Sequence, residues 1–96
     1  MPYYLYILRC SDGTFYTGHA RDIDERIRAH NSGKAAKYTS GRLPVELVYS
    51  EVHETRSLAA KREYEIKGWK RARKQALIEG KAPASDRPGV IDNPQR

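Results

Sequence analysis

The segments YYLYILRC (residues 3–10) and TFYTG (residues 14–18), joined around Asp12-Gly13, decide the fold of this chain. Both segments are rich in aromatic and aliphatic residues, a composition typical of β-strands. The Asp-Gly dipeptide readily adopts the positive φ angles that a tight hairpin turn requires. This part of the sequence therefore predicts an antiparallel β-hairpin.

An amphipathic helix is predicted directly after the hairpin, in the segment DIDERIRAH (residues 22–30). Asp22 is suited to cap the N-terminus of this helix, and Gly33 is suited to end it. Arg26 and His30 are four residues apart, so we expect their side chains to project together at the edge of the buried face.

The rest of the chain predicts one more strand and two more helices. Residues 34–44 show no periodicity and are interpreted as a loop. Residues 45–53 alternate apolar and polar side chains, as a half-buried strand does. Helices are predicted over about residues 55–68 and residues 69–78, with a Thr or Ser cap at the start of the first.

The order β-β-α-β-α-α predicts an α+β domain, in which helices flank a small three-stranded antiparallel sheet. We place this domain at residues 1–80. Residues 81–96 contain three prolines and few apolar residues, so we expect them to form a flexible C-terminal tail. The sequence contains no internal repeat.

Composition sets limits on function. The 96 residues include 18 Lys and Arg against 12 Asp and Glu, which gives a formal net charge of +6. A single cysteine, Cys10, excludes an intramolecular disulfide and a cysteine-based zinc site. No apolar run is long enough to span a membrane, and a cytoplasmic protein is therefore expected. The basic surplus indicates either a polyanionic partner or simply a charged surface.

Tyrosine is unusually frequent in this chain, with seven tyrosines against one phenylalanine. A single tyrosine in a strand is usually a packing residue. Seven tyrosines are less easily explained by packing alone, because each buried hydroxyl needs a hydrogen-bond partner and phenylalanine does not. The functional interpretation of this bias is a cluster of phenols beside a surface cleft, and the structural interpretation is core packing.

Two tyrosine triplets, YLY (residues 4–6) and YTG (residues 16–18), stand on the two predicted strands of the hairpin. Arg26 and His30 follow on the next helix, and Glu63 follows on a later one. This order and spacing resembles the GIY-YIG nuclease superfamily, in particular its small stand-alone bacterial members. The similarity covers nearly all of the predicted fold. It implies a GIY-YIG-like nuclease domain, an endonuclease that hydrolyses DNA phosphodiester bonds with one divalent ion, Mg²⁺ or Mn²⁺.

The resemblance also implies roles for individual residues. Tyr6 and Tyr16 correspond to the tyrosines of the two triplets, and Tyr6 is the preferred candidate for the general base. Arg26 would hold the non-bridging phosphate oxygens through paired hydrogen bonds. Glu63 would bind the divalent metal ion, and His30 would add positive charge beside the phenols.

The sequence departs from the family pattern at a few positions. Tyr4 and Leu5 replace the glycine and isoleucine of the first triplet. His19 follows Gly18 at a position where some members of the family carry a lysine. Only Gln75 lies near the family's late asparagine, and we assign it no role.

Each candidate residue also has a structural interpretation. Arg26 lies four residues after Asp22, an ordinary spacing for an ion pair on a helix. Glu63 and Lys67 have the same spacing, and His30 near a helix end interacts favourably with the helix dipole. Singly, each residue favours the structural interpretation. Together, in the order of the family, they favour the functional one.

A basic run marks a candidate surface for nucleic acid. Residues 61–74 contain seven Lys and Arg against two Glu, a pattern typical of either a solvated helix face or a phosphate-binding surface. Tyr38 is suited to stack on an unpaired base or to cover the core. The candidate nucleic-acid-binding residues are Lys37, Tyr38, Arg42, Arg62, Lys67, Lys70 and Arg71.

Single-stranded or branched DNA is the favoured partner, because a small domain with a narrow aromatic cleft suits unstacked nucleotides. RNA stays open as a partner, and so does the oligomeric state. The alternative function is a non-catalytic nucleic-acid-binding module that keeps the fold but does not cut. Retention of both triplet tyrosines, Arg26, His30 and Glu63 favours the nuclease, because binding alone does not require a carboxylate that faces phosphate.

Overall fold

A computed structural model of the protein describes residues 2–88, which form a three-stranded sheet and four α-helices. The predicted order of elements is present, with one additional short helix before the third strand. The elements are β1 (Tyr3–Arg9), β2 (Phe15–Ala20), α1 (Ile23–Asn31), α2 (Lys37–Ser40), β3 (Glu46–His53), α3 (Arg56–Lys67), α4 (Arg71–Ile78) and a 3-10 turn (Ala84–Asp86).

The sheet has the strand order β2-β1-β3, and both pairs of neighbouring strands are antiparallel. The hairpin turn is possible because Gly13 takes a φ of +86°. Since β3 pairs with the other side of β1, the first strand is central and β2 is an edge strand. The α+β class predicted from the sequence is confirmed.

Side chains of β1 alternate between two separate cores. Leu5 and Ile7 pack beneath α3 and α4 on one face of the sheet. Tyr6 and Leu8 lie on the opposite face, beneath α1. All four side chains are almost completely buried, and burial of an aliphatic side chain of this size contributes about 1.5–3 kcal/mol. The central strand is therefore covered on both faces.

Caps explain where the two longest helices begin. The Asp22 carboxylate accepts a hydrogen bond from the backbone N–H of Glu25 at 3.0 Å, as the capping pattern predicts. The Thr55 hydroxyl accepts one from the backbone N–H of Leu58 at 3.1 Å. Each bond satisfies an N–H group that has no partner inside the helix. The caps thereby fix the start of α1 and α3, the helices that carry the predicted catalytic residues outside the hairpin.

The third strand differs from the predicted alternation over residues 45–53. Leu47 is 40% exposed and Val52 is 60% exposed, whereas Glu51 is buried. The pairing of β3 with β1 shifts register midway along the strands, and such a bulge changes which side chains face the core. Buried partners hold the Glu51 carboxylate, so a charged residue occupies a core position.

Two helix positions also differ from the prediction. α2 lies within the segment interpreted as a loop, because a four-residue helix is too short to produce a periodic pattern. α4 begins at Arg71, two residues later than predicted. Within residues 2–88, none of the helices is both long enough and apolar enough to cross a membrane.

Residues 81–88 pack against the domain, although the sequence placed them at the start of a flexible tail. Ala82 is buried in the core that contains Leu5. The Asp86 carboxylate accepts hydrogen bonds from Arg73 at 2.9 and 2.6 Å. The prediction of a flexible tail rested on the scarcity of apolar residues, and it therefore missed a segment that is held mainly by polar contacts between Asp86 and Arg73. The remainder of the predicted tail, residues 89–96, lies outside the described residues.

Candidate active site

Gly18 allows the side chain of Tyr6 to reach the edge of the sheet. The two residues are cross-strand neighbours on β1 and β2. A Cβ atom on residue 18 would lie 2.6 Å from Oη and 2.7 Å from Cζ of Tyr6, so any side chain there would force the phenol ring to move. Because β2 is the edge strand, Tyr6 reaches a cavity that residues of α1 and α3 also line.

A cavity of about 450 Å³ lies at this edge of the sheet, and we call it the edge cleft. Four of the five predicted catalytic residues line it, namely Tyr6, Tyr16, Arg26 and Glu63. They come from β1, β2, α1 and α3, so only the tertiary fold brings them together. The other charged or aromatic lining residues are Tyr3, His19, Arg21, Asp22, Glu25 and Arg56.

Glu63 presents an ionised carboxylate to the edge cleft. Its Oε1 lies 2.6 Å from Nδ1 of His19, and its Oε2 lies 2.7 Å from Nζ of Lys67. Burial alone would raise the pKa of Glu63, but the hydrogen bonds from Lys67 and His19 outweigh burial and lower the pKa below its usual value. The ion pair with Lys67 that the helix spacing suggested is present, and it coexists with a position in the cleft.

Glu63 is suited to be the single carboxylate that holds a hydrated cation. Mg²⁺ is usually held in proteins by one or two carboxylates together with waters and substrate phosphates. Among residues 2–88, no cluster of three or more His, Cys, Asp and Glu side chains is able to hold a metal ion. The donor set therefore suits an ion that keeps most of its water, and it does not suit a metal enclosed by protein ligands.

His30 lies behind Tyr6 and does not line the edge cleft. The sequence predicted that it projects beside Arg26 at the edge of α1, but it is only 1% exposed. Its Nε2 lies 3.0 Å from Oη of Tyr6, and its Nδ1 lies 2.8 Å from Oγ1 of Thr39. The ring of Tyr16 packs edge-on against the imidazole at a centroid distance of 5.0 Å. Burial is tolerated because each ring nitrogen has a polar partner.

Tyr6 and His30 are both uncharged at neutral pH. Burial and, second, the neighbouring Tyr16 raise the pKa of Tyr6 to about 12, although Arg26 opposes them. Burial and, second, the charge of Arg26 lower the pKa of His30 below its usual value. The positive charge of Arg26 alone therefore does not make phenolate the resting form of Tyr6, and His30 adds no charge beside the phenols.

A second cavity, the aromatic pocket, adjoins the edge cleft at Tyr16, which lines both. Its volume is about 390 Å³. The ring of Tyr38 stacks on Tyr16 at a centroid distance of 5.9 Å and is 40% exposed. This exposure does not fit the interpretation of Tyr38 as a cover of the core, and the interpretation that it stacks on an unpaired base stays a prediction. The lining residues are Phe15, Tyr16, Thr17, Tyr38, Lys67 and Lys74.

Arg62 is buried, which corrects its prediction as a nucleic-acid-binding residue. It is 8% exposed, and its Nε donates to Glu51 at 2.7 Å. Its Nη1 donates to Glu65 at 3.1 Å, and its Nη2 donates to the backbone carbonyl of Asp86. A phosphate would have to displace these partners and leave buried charges without compensation. Arg62 is therefore part of the framework and not of the surface.

The other predicted nucleic-acid-binding residues lie at the surface. Arg42 lies 4.1 Å from the ring centroid of Tyr38, and Arg71 lies 4.2 Å from that of Phe15. Cations therefore flank two rings of the aromatic pocket, where they would attract the phosphates of a bound strand. The exposed members of the predicted set besides Tyr38 are Lys37, Lys67, Lys70 and Arg71.

His19, Thr39 and Arg56 are among the residues that contact or line the site without having been predicted from the sequence. His19 contacts Glu63, and its only signal was its position after the second triplet. Thr39 contacts His30 from a segment without periodicity, which hid its burial. Arg56 lines the edge cleft from the start of α3, where nothing in the sequence distinguishes it from other surface arginines.

The chain is similar to known proteins over most of its length. The family model described as the GIY-YIG catalytic domain matches residues 2–76. UPF0213 proteins of Staphylococcus aureus and Staphylococcus saprophyticus are 54% and 55% identical to this chain over 76 residues. The matched segment spans 79% of this chain and 93% of each relative.

Two solved structures are also similar to this chain, both determined by solution NMR. A UPF0213 protein from Bacillus halodurans is 40% identical, with a TM-score of 0.55 over 96% of this chain and 98% of that one. A protein from E. faecalis is 39% identical, with a TM-score of 0.57 over 83% of this chain and 85% of that one. The likeness therefore extends over the sheet and the helices that form the edge cleft.

Proposed function

The chain belongs to the GIY-YIG family, and on that premise we propose that it is a metal-dependent endonuclease that hydrolyses DNA phosphodiester bonds. One observation carries the proposal: Tyr6, Tyr16, Arg26 and Glu63 line a single cleft although they come from four different elements. A protein that only bound nucleic acid would need the cations of this surface. It would have no need of a carboxylate among them, because a carboxylate repels phosphate.

Glu63 would hold one divalent ion, Mg²⁺ or Mn²⁺. When bound, such an ion neutralises charge on the phosphate and stabilises the departing oxygen. The lowered pKa of Glu63 supports this role, because the carboxylate is ionised at neutral pH. His19 and Lys67 each bond one carboxylate oxygen and so orient the group within the cleft.

Tyr6 would act as the general base through His30. In this step a proton of the attacking water passes to Oη of Tyr6, while the proton of Tyr6 passes to Nε2 of His30, 3.0 Å away. The oxygen of the water bonds to phosphorus as the bond from phosphorus to the sugar oxygen breaks. The departing sugar oxygen takes a proton from solvent water, and His30 then returns its extra proton to solvent through Tyr6. The raised pKa of Tyr6 is compatible with this route, because the route requires no resting phenolate.

Arg26 and Tyr16 would position the reacting groups. Arg26 is exposed at the edge cleft, and its planar guanidinium is able to donate two parallel hydrogen bonds to non-bridging phosphate oxygens. Tyr16 lines the same cleft and would orient the attacking water through its hydroxyl. The cytoplasmic location expected from the sequence stays a prediction.

Single-stranded or branched DNA is the substrate that we favour. The aromatic pocket supports this choice, because Tyr16 lines both cavities and an unpaired base beside the scissile phosphate would meet aromatic faces. Tyr38→Ala should weaken binding of single-stranded DNA by about tenfold, the lower end of the range for one stacked base. Tyr64→Ala is the matched control, because Tyr64 is 85% exposed and lines neither cavity.

The alternative function is a nucleic-acid-binding module that does not cut. The cations around the aromatic pocket would serve such a module equally well. The two functions differ in what they require of Glu63, because a binding module loses nothing when that carboxylate is neutralised. Glu63 is therefore the residue on which to separate them.

The test is a cleavage assay on labelled single-stranded, duplex and branched DNA and on RNA, each with Mg²⁺, Mn²⁺ or EDTA. Parent protein and Glu63→Gln are purified in parallel. Glu54→Gln is the matched control, because Glu54 is exposed and does not line the edge cleft. We expect metal-dependent cleavage that falls at least about 100-fold in Glu63→Gln, the loss of several kcal/mol of transition-state stabilisation.

Three other outcomes have distinct meanings. Binding without metal-dependent cleavage of any substrate would leave the binding module as the function. Cleavage that survives in Glu63→Gln at the rate of Glu54→Gln would remove Glu63 as the metal ligand. Cleavage of duplex DNA in preference to the other forms would contradict the proposed substrate but not the proposed chemistry.

A further inference from the structure

Thr39 and His30 form a buried hydrogen-bond chain behind Tyr6. Thr39 has no exposed surface, and its Oγ1 lies 2.8 Å from Nδ1 of His30 and 3.2 Å from the carbonyl oxygen of Ala36. On the other side of the imidazole, Nε2 lies 3.0 Å from the Tyr6 hydroxyl. We propose that Thr39 is a positioning residue that holds His30 in the tautomer with its proton on Nδ1, so that Nε2 accepts the hydroxyl hydrogen of Tyr6.

The carbonyl group at the end of the chain sets the direction of every bond in it. A backbone carbonyl oxygen only accepts, so the Thr39 hydroxyl donates its hydrogen to Ala36. A hydroxyl has a single hydrogen, so the Thr39 oxygen meets Nδ1 of His30 as an acceptor. Nδ1 must then carry the proton, and in a neutral imidazole Nε2 keeps the lone pair. Tyr6 is therefore the donor in its bond to Nε2.

The neutral imidazole is the relevant form of His30 in this chain. Its side chain is buried, and burial lowers its pKa below the usual value. A protonated ring would donate from both nitrogens, and it would force both Tyr6 and Thr39 to accept. Since the interior around His30 disfavours that charge, the choice lies between two neutral tautomers.

The opposite tautomer makes fewer hydrogen bonds. With the proton on Nε2, Thr39 would have to turn its hydrogen to Nδ1 and give up its bond to Ala36. The chain would then contain two hydrogen bonds instead of the three seen with the proton on Nδ1. The Ala36 carbonyl accepts a hydrogen bond from the backbone N–H of Ser40 at 3.1 Å in either arrangement, so the two tautomers differ by the hydrogen bond from Thr39 alone. The three-bond arrangement is therefore the stable one.

The tautomer decides which part of the Tyr6 hydroxyl faces the substrate. With its hydrogen directed to Nε2, Tyr6 turns its oxygen lone pairs toward the edge cleft, where Arg26 also lies. In the opposite tautomer Nε2–H would occupy one of these lone pairs, and the phenol hydrogen would point into the cleft. This consequence rests on the proposed nuclease function, whereas the tautomer is a property of the free protein.

The experiment measures the tautomer directly, in the full chain without substrate. Side-chain ¹⁵N NMR distinguishes a protonated imidazole nitrogen from one that keeps a lone pair, and His30→Gln assigns the signals among the three histidines. The variants are Thr39→Val, which keeps the shape of the side chain, and Thr39→Ser, which keeps its hydroxyl. Ser40→Ala is the matched control, because Ser40 makes a similar local bond, to the carbonyl of Lys37 at 2.9 Å, without contact to a histidine.

We expect Nδ1 of His30 to carry the proton in the parent, in Thr39→Ser and in Ser40→Ala. In Thr39→Val the population should shift toward the tautomer with the proton on Nε2. A parent protein with the proton on Nε2 would overturn the proposal, and so would a folded Thr39→Val protein with an unchanged tautomer. If Thr39→Val does not fold, as its backbone amide spectrum would reveal, the parent and Thr39→Ser decide the question.

Cleavage kinetics separate this proposal from the proposed function. In Thr39→Val we expect kcat to fall about 10–100-fold, the usual effect of removing a group that orients a functional side chain, with KM unchanged. Thr39→Ser should restore most of the activity. A parent protein with the proton on Nδ1 that cuts no substrate would contradict the nuclease and leave the tautomer standing. Unchanged kcat in a Thr39→Val protein with a shifted tautomer would refute the positioning role alone.

Discussion

Glu63 and Glu51 are two carboxylates of similar chemistry in opposite surroundings. Glu51 lies on β3, its side chain is only 3% exposed, and it accepts four hydrogen bonds. Glu63 lies on α3, keeps 19% of its side chain exposed at the edge cleft, and has two partners among the described residues. The partners of Glu51 are Tyr49, His53 and Arg62. We call Glu51 together with these three partners the closed network.

The difference teaches how a charged group becomes structural or functional. A carboxylate offers about four lone-pair sites, so the partners of Glu51 use all of its capacity. Nothing is left on Glu51 for a ligand, and its charge serves to hold β3 to α3. Glu63 retains capacity and faces a cavity, so it is able to bind a cation or water. Open lone pairs at a cavity, and not the identity of the residue, distinguish Glu63, the glutamate for which we propose a function, from Glu51.

Arg62→Met is the strongest way to break this comparison, because it opens the closed network. It leaves Glu51 buried without its cation, and removal of one partner of a buried pair costs about 3–5 kcal/mol. Urea unfolding measures the loss, and absence of a cooperative transition would count as the largest form of it. Lys61→Met, on the exposed side of the same helix, is the control and should change stability by less than about 0.5 kcal/mol. Equal stability of the two variants would show that the network is dispensable.

Glu63→Gln sharpens the comparison by acting on function and not on stability. The free energy of unfolding should change by less than about 1 kcal/mol, because the partners of Glu63 are partly exposed. Cleavage should nevertheless fall by about 100-fold or more. Urea unfolding and a cleavage assay on the same preparation measure the two quantities. If Glu63→Gln destabilised the fold as much as Arg62→Met, the distinction between the two glutamates would fail.

Gly18→Ala tests the geometry of the edge cleft, which Glu63 shares with Tyr6. The added Cβ would lie 2.6 Å from the Tyr6 hydroxyl oxygen, so the phenol has to leave its place against His30. We expect a loss of about 1–3 kcal/mol in the free energy of unfolding and a loss of cleavage. Gly41→Ala is the matched control, because a Cβ there meets nothing within 4 Å and its φ is −96°. Its stability should be unchanged or slightly higher.

The pH dependence of stability gives the smallest expected effect. The folded-state pKa of His30 lies below its unfolded value of 6.5, so the unfolded chain binds a proton that the folded protein excludes. Stability therefore falls as the pH drops below about 6.5, with a limiting slope of about 1.4 kcal/mol per pH unit. Urea unfolding between about pH 7 and pH 5 measures the slope. His30→Gln should flatten it, and an equal slope in that variant would contradict a neutral His30 in the folded protein.

Local chemistry made much of the fold predictable. The Asp-Gly turn, the Asp22 cap and the glycine after α1 each act within a few residues, so the hairpin and the first helix were predicted correctly. The third strand was predicted with the wrong pattern, because a bulge and the burial of Glu51 depend on partners far along the chain. The packing of residues 81–88 was missed for the same reason, since Asp86 is held by Arg73 of α4.

Part of the candidate site was predictable from the sequence, but the burial of its residues was not. A resemblance, and no local pattern, suggested that Tyr6, Tyr16, Arg26 and Glu63 belong together, and all four line one cleft. The position of His30 behind Tyr6 was not predictable, because helical spacing places a residue on a face and does not say how deep that face is buried. Thr39 gave no signal, since its role depends on a contact that the fold creates.

Arg62 and Glu63 are sequence neighbours whose different surroundings could be predicted only in part. Neighbours on a helix are separated by about 100° around its axis, so the sequence already implied that the two side chains point in different directions. It did not reveal that Arg62 points toward Glu51 and the backbone of Asp86, which bind its guanidinium. Nor did it reveal that Glu63 points toward the edge cleft. The packing of β3 and of the segment after α4 buries Arg62 and leaves Glu63 at the cleft. Both contacts are distant in sequence, because burial is a property of the assembled fold and not of a residue or its neighbours in sequence.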